Sequence, residues 1–257
     1  MKITANFSTI RSDFRLKIDT IFSAGTVTAV LGPNGSGKST VLRVLAGLQG
    51  IDSGEIVFGD QVVNKTPSVH VAPQERSVGV VFQDYALFPH LSVMENIAFG
   101  PRSLGLSKKV SQARAQSQLK SLGITELGHR KPNQISGGQA QRVALARALA
   151  TEPSVLLLDE PLAALDAQTK ESVRTELEKQ IDGFDGCVIF VTHDPLDAML
   201  LADRVVVLED GTITQEGTPS ELAARPETDY VATLMGVNLI RGVANQGVLQ
   251  VEGGGVL

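Results

Sequence analysis

Lys38 and Ser39 close the stretch Gly32-Pro33-Asn34-Gly35-Ser36-Gly37-Lys38-Ser39-Thr40, which fits the pattern G-x-x-x-x-G-K-[ST]. The glycines of such a loop let the chain curl until successive backbone N–H groups point at one anion. This is the chemistry of a loop that wraps nucleotide phosphates: Lys38 reaches the β- and γ-phosphates, and the Ser39 hydroxyl binds Mg²⁺. The flanks agree. An apolar, β-branched run, Thr26-Val27-Thr28-Ala29-Val30-Leu31, precedes the loop, and Val41, Leu42, Val44, Leu45 and Leu48 follow at helical spacing. A helix starting there aims its positive dipole end at the same anion.

Two further stretches carry chemistry. Val155-Leu156-Leu157-Leu158 is a continuous apolar run, the mark of a strand buried on both faces, and Asp159-Glu160 stand at its end. A carboxylate at the C-terminal tip of a central strand is where an α/β nucleotide site holds its metal. Asp159 is therefore read as the metal-side acid, and Glu160, projecting differently, as the group that polarises an attacking water. Ser136-Gly137-Gly138-Gln139 opens a helix with a capping box, yet two glycines exceed what a cap needs. They leave bare N–H groups and room for close approach to an anion.

These groups need a scaffold. Residues 1–31 read as strands, with period-2 segments such as Phe14-Arg15-Leu16-Lys17-Ile18, and Gly54-Glu55-Ile56-Val57-Phe58 and Val78-Gly79-Val80-Val81-Phe82 as further strands. From about Ser92 to Ala150 the pattern is helical: a capping box at Ser92-Val93-Met94-Glu95, a polar helix from Gln112 to Leu122 stopped by Gly123, and a long helix from Ser136. Val188 to Val191 is a second buried strand, Asp210-Gly211 marks a hairpin, and Thr218-Pro219-Ser220-Glu221 starts a short helix. Asn238 to Ala244 and Val248 to Val251 read as two last strands around Asn245-Gln246-Gly247.

The 257 residues suffice for a large core, and 42% apolar with 20% charged residues is ordinary for a globular protein. A net charge of −5 argues against a nucleic-acid partner. The single cysteine, Cys187, lies in an apolar run and reads as a buried structural thiol in a reducing compartment. The N-terminus has no leader pattern, and no apolar run approaches the ~20 residues that span a bilayer, so a cytoplasmic protein is expected.

In chain order the phosphate loop, Gln83 after an apolar strand, Ser136-Gly137-Gly138-Gln139, Leu156-Leu157-Leu158-Asp159-Glu160-Pro161, Leu165-Asp166 and Thr192-His193-Asp194 resemble the ATP-binding cassette (ABC) transporter ATPases. The likeness covers about residues 1–235. It implies an α/β fold: a P-loop NTPase core of the ABC kind, a mixed sheet with flanking helices, plus a helical subdomain at about 92–150 and a short C-terminal β stub at 236–257. It implies ATP and Mg²⁺ as cofactors, and Gln83 joins Ser39 and Asp159 at the metal, linking it and the attacking water to a transmembrane partner. Ser136 and Gly138, with Gly137 and Gln139, face the γ-phosphate bound by a second copy, Ala163-Ala164-Leu165-Asp166 cross the interface of that homodimer, and His193 holds the γ-phosphate.

Three positions depart from the family pattern: Ile135 replaces Leu before Ser136, Ala163 replaces Ser, and the turn Thr9-Ile10-Arg11-Ser12-Asp13 lacks the aromatic residue that relatives stack on adenine. Phe7 and Phe14 flank that turn.

The run from Gln83-Asp84-Tyr85 to Val93 is similar to importer ATPases, which work with integral membrane permeases and a periplasmic or lipid-anchored substrate-binding protein. Ala98-Phe99-Gly100-Pro101-Arg102-Ser103 and Gly236-Val237-Asn238-Leu239-Ile240-Arg241-Gly242 look most like the molybdate importers, in which a small anion-binding β domain follows. Residues 236–257 are then its opening strands, or a tail packed on the main body. The resemblance puts the chain at the cytoplasmic face of the cell membrane. Sulfate, iron and polyamine importers share much of the pattern. A soluble cassette ATPase acting on DNA or ribosomes is the other class, disfavoured by the absence of sustained heptads and basic runs.

Overall fold

The computed structural model describes residues 1–11, 13–163, 167–238, 242–245 and 248–251. Ser12, Ala164, Leu165, Asp166, Leu239 to Arg241, Gln246, Gly247 and residues 252–257 lie outside that set, and with them the expected interface residues Ala164, Leu165 and Asp166. The chain begins with strands β1 (Lys2–Arg11), β2 (Phe14–Ser23) and β3 (Thr26–Leu31), then helix α1 (Lys38–Leu45) and strands β4 (Ser53–Phe58), β5 (Gln61–Lys65), β6 (Val69–His70) and β7 (Val78–Val81). Three helices follow: α2 (Val93–Ser103), α3 (Lys108–Ser121) and α4 (Gly137–Leu149). The chain then alternates through β8 (Val155–Asp159), α5 (Ala167–Asp182), β9 (Cys187–Val191), α6 (Pro195–Leu201) and β10 (Arg204–Glu209). It continues with β11 (Thr212–Gly217), α7 (Pro219–Ala224), α8 (Asp229–Leu234), β12 (Gly242–Asn245) and β13 (Val248–Val251).

Eleven strands form one mixed sheet in the order β6-β5-β4-β1-β2-β11-β10-β3-β9-β8-β7. The run β10-β3-β9-β8-β7 is parallel throughout. Parallel neighbours need crossovers, and the helices that supply them cover both faces, so these strands must be apolar on both sides. The sequence obeys. In β8, Leu156 and Leu158 enter the core under the helical segment, while Val155 and Leu157 enter the core around α1. In β9, Val188 and Phe190 take the first side, and Cys187, Ile189 and Val191 the second. The antiparallel arm, β1, β2 and β4 to β6, alternates buried and exposed residues instead. Cys187 is fully buried, which pushes its thiol pKa up and suits it to packing.

Leu157 is 0% exposed at the centre of β8. Truncation to Ala leaves a cavity between β8 and α1, and the expected cost is about 2–5 kcal/mol in urea denaturation, a large share of a domain's stability.

Helices α2, α3 and α4 pack together through Val93, Ile97, Ala115, Leu119, Val143 and Ala144. Both expected capping boxes are formed. Glu95 N–H donates to Ser92 Oγ at 3.2 Å and Ser92 N–H to the Glu95 carboxylate at 2.9 Å; the equivalent pair at Ser136 and Gln139 measures 3.3 and 2.9 Å. The polar helix expected at 112–122 is longer on its N-terminal side, because Ser107 caps it through Val110 N–H.

The expected turn at Thr9 to Asp13 is a correction. Strand β1 runs on to Arg11 and pairs Ile10 with Arg15 in β2, so Thr9 and Ile10 are strand residues. Strands β12 and β13 form a separate antiparallel pair, Gly242 opposite Val251. The described part of the first is Gly242–Asn245; Leu239 to Arg241 of the expected strand lie outside the described residues.

Candidate nucleotide site

Because β3, β9, β8 and β7 are parallel and adjacent, their carboxyl ends meet at one edge of the sheet. Each end delivers one candidate. The phosphate loop leaves β3 after Leu31, His193 follows β9, Glu160 follows β8 and Gln83 follows β7. Four segments spread over more than half the chain are thereby gathered by strand order alone.

The loop has the curled form its glycines permit. Gly37, the residue before α1, has φ of 103°, a left-handed conformation that side chains resist. A Cβ on Gly32 would lie 2.1 Å from the Leu208 carbonyl oxygen and 2.6 Å from Ser36 Oγ, so only glycine fits against β10. Ser36 N–H donates to the Pro33 carbonyl at 3.2 Å, which closes the turn. The back of α1 is anchored by Arg76, whose guanidinium donates to the carbonyls of Val44, Leu45, Val63 and Val71 at 2.9 to 3.1 Å. Its burial lowers the guanidinium pKa to about 10, and its position satisfies carbonyls that a helix end leaves unpaired.

Lys38 is 6% exposed and donates to the carbonyls of Gly32 and Pro33 at 2.8 and 2.9 Å. Burial lowers its pKa, against the pull of the Glu160 and Asp159 carboxylates. The cation is folded onto its own loop beside a cleft of about 350 Å³ lined by Asn34, Gly35, Gly37, Ser39, Thr40 and Glu160. Ser36 Oγ is buried without a hydrogen-bond partner among the described residues, an orphaned polar atom inside a phosphate cradle.

Ser39 Oγ donates to Asp159 Oδ1 at 3.0 Å. Burial raises the Asp159 carboxyl above its usual range, with the Ser39 hydrogen bond opposing. Hydroxyl and carboxylate oxygens suit Mg²⁺, which is held by one or two protein oxygens together with phosphates. Gln83 faces a common cleft with Asp159. The donor set fits the metal that the sequence implies.

Glu160 joins the remaining candidates. Its Oε2 lies 3.1 Å from His193 Nδ1 and 3.4 Å from Gln83 Nε2. Its φ of +46° is uncommon for a side-chain-bearing residue, and such strain of about 1–3 kcal/mol persists where the surroundings impose it. Here Glu160 N–H is tied to the Val191 carbonyl of β9 at 3.0 Å. Ser136 and Gly137, in contrast, are exposed at the tip of α4, the expected phosphate contact Gly138 is buried, and the Ser136 and Gln139 side chains close on each other.

The sequence matches the ABC transporter family over residues 16–163. It is 45% identical over 249 residues to the molybdenum import ATP-binding protein ModC of Mycobacterium tuberculosis strain H37Rv, across 95% of this chain and 68% of that one. The chain belongs to the ATP-binding subunits of ABC transporters. The Fe(3+) ions import ATP-binding protein FbpC of Rhizobium etli is 47% identical over 212 residues, covering 82% of this chain and 59% of that protein. The sulfate/thiosulfate import ATP-binding protein CysA 2 of Agrobacterium fabrum is 44% identical over 252 residues, covering 97% and 72%. A solved dimeric ATP-binding cassette in a post-hydrolysis state, bound to ADP and Pi, superposes with a TM-score of 0.72 at 29% identity, covering 85% of this chain and 99% of its own.

This ABC ATPase has features near the site that its motifs do not announce. Phe14 and Arg11 line the phosphate-loop cleft, whereas Phe7 is buried in the core. The signal for Phe14 was its place at the mouth of the first hairpin, opposite Arg11. Arg147 of α4 donates to the carbonyls of Tyr85 and Ala86 at 2.8 and 2.7 Å, and its guanidinium stands 5.5 Å over the Phe88 ring. Tyr85 and Ala86 have φ of 60° and 43°, so the arginine clamps a strained turn just after Gln83. One residue thereby ties the helix that starts at Ser136 to the loop that carries Gln83.

Proposed function

We propose that two copies of this importer ATPase close head to tail around two MgATP, and that the cycle powers uptake of an oxyanion, molybdate before sulfate. The observation that carries the catalytic part is the meeting of Gln83, Glu160 and His193 at one carboxylate oxygen beside the phosphate cradle. Lys38 and the loop N–H groups bind the β- and γ-phosphates. Ser39, Asp159 and Gln83 hold Mg²⁺, which neutralises charge on the phosphoryl oxygens when bound. Glu160 orients a water and takes its proton as it attacks the γ-phosphate in line. His193, steadied at Nδ1 by Glu160, offers its other ring nitrogen to the γ-phosphate.

The exposed Ser136 and Gly137, with Gly138, complete the site of the facing copy. Their place at a glycine-tipped helix N-terminus and the dimeric assembly of the similar cassette support this. Nucleotide then bridges two chains, so binding favours closure and hydrolysis releases it. An apolar groove of about 370 Å³ lined by Phe82, Ala86, Phe88, Phe99 and Arg147 receives the membrane permease. Docking on the permease places the chain at the cytoplasmic face; no helix among the described residues is long and apolar enough to cross a membrane.

The cargo reading rests on extent. The molybdenum and sulfate importers align over 95% and 97% of the chain and so reach into residues 236–257, whereas the iron importer aligns over 82%. Both far-reaching relatives are named for import, one of molybdenum and one of sulfate or thiosulfate. The pair β12–β13 is read as the opening of the β domain that follows in such importers. Deletion of the gene should abolish high-affinity molybdate uptake and spare sulfate and iron uptake, measured with labelled substrates. Loss of sulfate uptake alone selects the second reading, and loss of iron uptake alone rejects the oxyanion class.

A further inference from the structure

A cluster of four charges lies in the seam between α5 and α6, behind the catalytic edge. Asp197, 4% exposed at its side chain, accepts from Arg174 Nε and Nη2 at one oxygen, at 3.0 and 2.7 Å, and from Lys170 at the other, at 3.0 Å. Lys170 Nζ also donates to Asp194 Oδ2. Asp194 is gripped on two more sides: its Oδ1 caps α6 through Leu196 N–H at 2.8 Å, and its own N–H donates to Thr192 Oγ1 at 3.0 Å. Burial alone would lower the Lys170 pKa, but its hydrogen bonds to Asp194 and Asp197 outweigh it and hold the ammonium above its usual range. An exposed ion pair contributes little, but this one is sheltered and shares a network, where removal of a partner is felt.

Asp194 is the residue after His193. The His193 side chain is 56% exposed, and its contact with Glu160 is long for a charge-assisted bond at 3.1 Å. The placement of the imidazole therefore depends on how firmly its loop is held. We propose that Lys170 is a positioning residue for His193: from α5 it fixes Asp194 and so keeps the histidine within reach of Glu160 and the γ-phosphate. The inference rests on the reading of His193 given above and adds a residue from another element to the machinery. Lys170→Met is a clean probe, because Asp197 keeps both contacts from Arg174 and Asp194 keeps its cap on Leu196.

The test is steady-state hydrolysis of MgATP by the full chain. Lys170→Met should lower kcat about 10-fold while KM for ATP stays within about 2-fold, since binding runs through the phosphate loop. Lys170→Arg should return kcat to within about 3-fold of the parent, because a guanidinium can bridge two carboxylates. The double variant Lys170→Met, His193→Ala should be no slower than His193→Ala, as both changes act on one group. Should Lys170→Met fail to fold, Asp194→Asn, which keeps an acceptor for the cap, carries the same kcat expectation. Parental kcat in Lys170→Met, failure of Arg to rescue, or losses that multiply in the double variant overturn the proposal. Parental turnover in His193→Ala overturns the underlying assignment of the histidine instead.

Discussion

Glu160→Gln should slow ATP hydrolysis by about 10²–10⁴-fold, roughly 3–5 kcal/mol of barrier, while ATP still binds. The amide has the shape of the carboxylate, so the left-handed backbone at φ +46° is undisturbed. Its oxygen can still accept from His193 or Gln83, which lie 3.1 and 3.4 Å from Oε2. What it loses is basicity, and with it the means to take a proton from water. Glu160 also pulls the Lys38 pKa upward and helps raise that of Asp159, so it contributes negative charge to the place where phosphates must sit. Its neutralisation should leave ATP affinity equal or higher. Phosphate release and calorimetric ATP titration measure the two quantities. Near-parental turnover in the purified variant would falsify the assignment of Glu160 as base.

Lys38→Ala should weaken ATP binding by about 100-fold or more, on the order of 3 kcal/mol. Lys38 is 6% exposed and its ammonium has two loop carbonyls as partners, although the Asp159 and Glu160 carboxylates are near enough to influence it. Burial disfavours its charge, which is the state of a cation stored for an arriving anion. Charge-assisted hydrogen bonds to phosphate contribute about 1.5–3 kcal/mol each, so loss of the donor is expensive. A melting curve without nucleotide separates lost affinity from lost fold. An unchanged ATP titration contradicts the reading of the loop.

Much of the scaffold is written locally. The apolar run Val155 to Leu158, the boxes at Ser92, Ser136 and Thr218, and the Asp210-Gly211 turn each act within a few residues, and each appears where the sequence puts it. Helix α5 is harder to read. Its buried residues Val173, Leu177 and Ile181 form one narrow stripe in an otherwise charged segment. Strands β5 and β6 are short pieces at the end of the sheet, and their place comes from pairing, β5 with β4 and β6 with β5.

The phosphate loop and the acidic strand end could be named from residues alone, because backbone torsion, capping and a two-sided apolar strand are local properties. The family resemblance places Gln83, Glu160 and His193 at one γ-phosphate site, but their meeting at one carboxylate oxygen has no local signal, nor has Arg147 over the turn after Gln83 or Lys170 behind His193. Those contacts join residues 24 to 77 positions apart. They exist only because β7, β8, β9 and β3 lie side by side and helices return across them. Spacing along a chain carries no record of which strand lies beside which. That order is decided by burial of both sheet faces at once, a property of the whole tertiary structure.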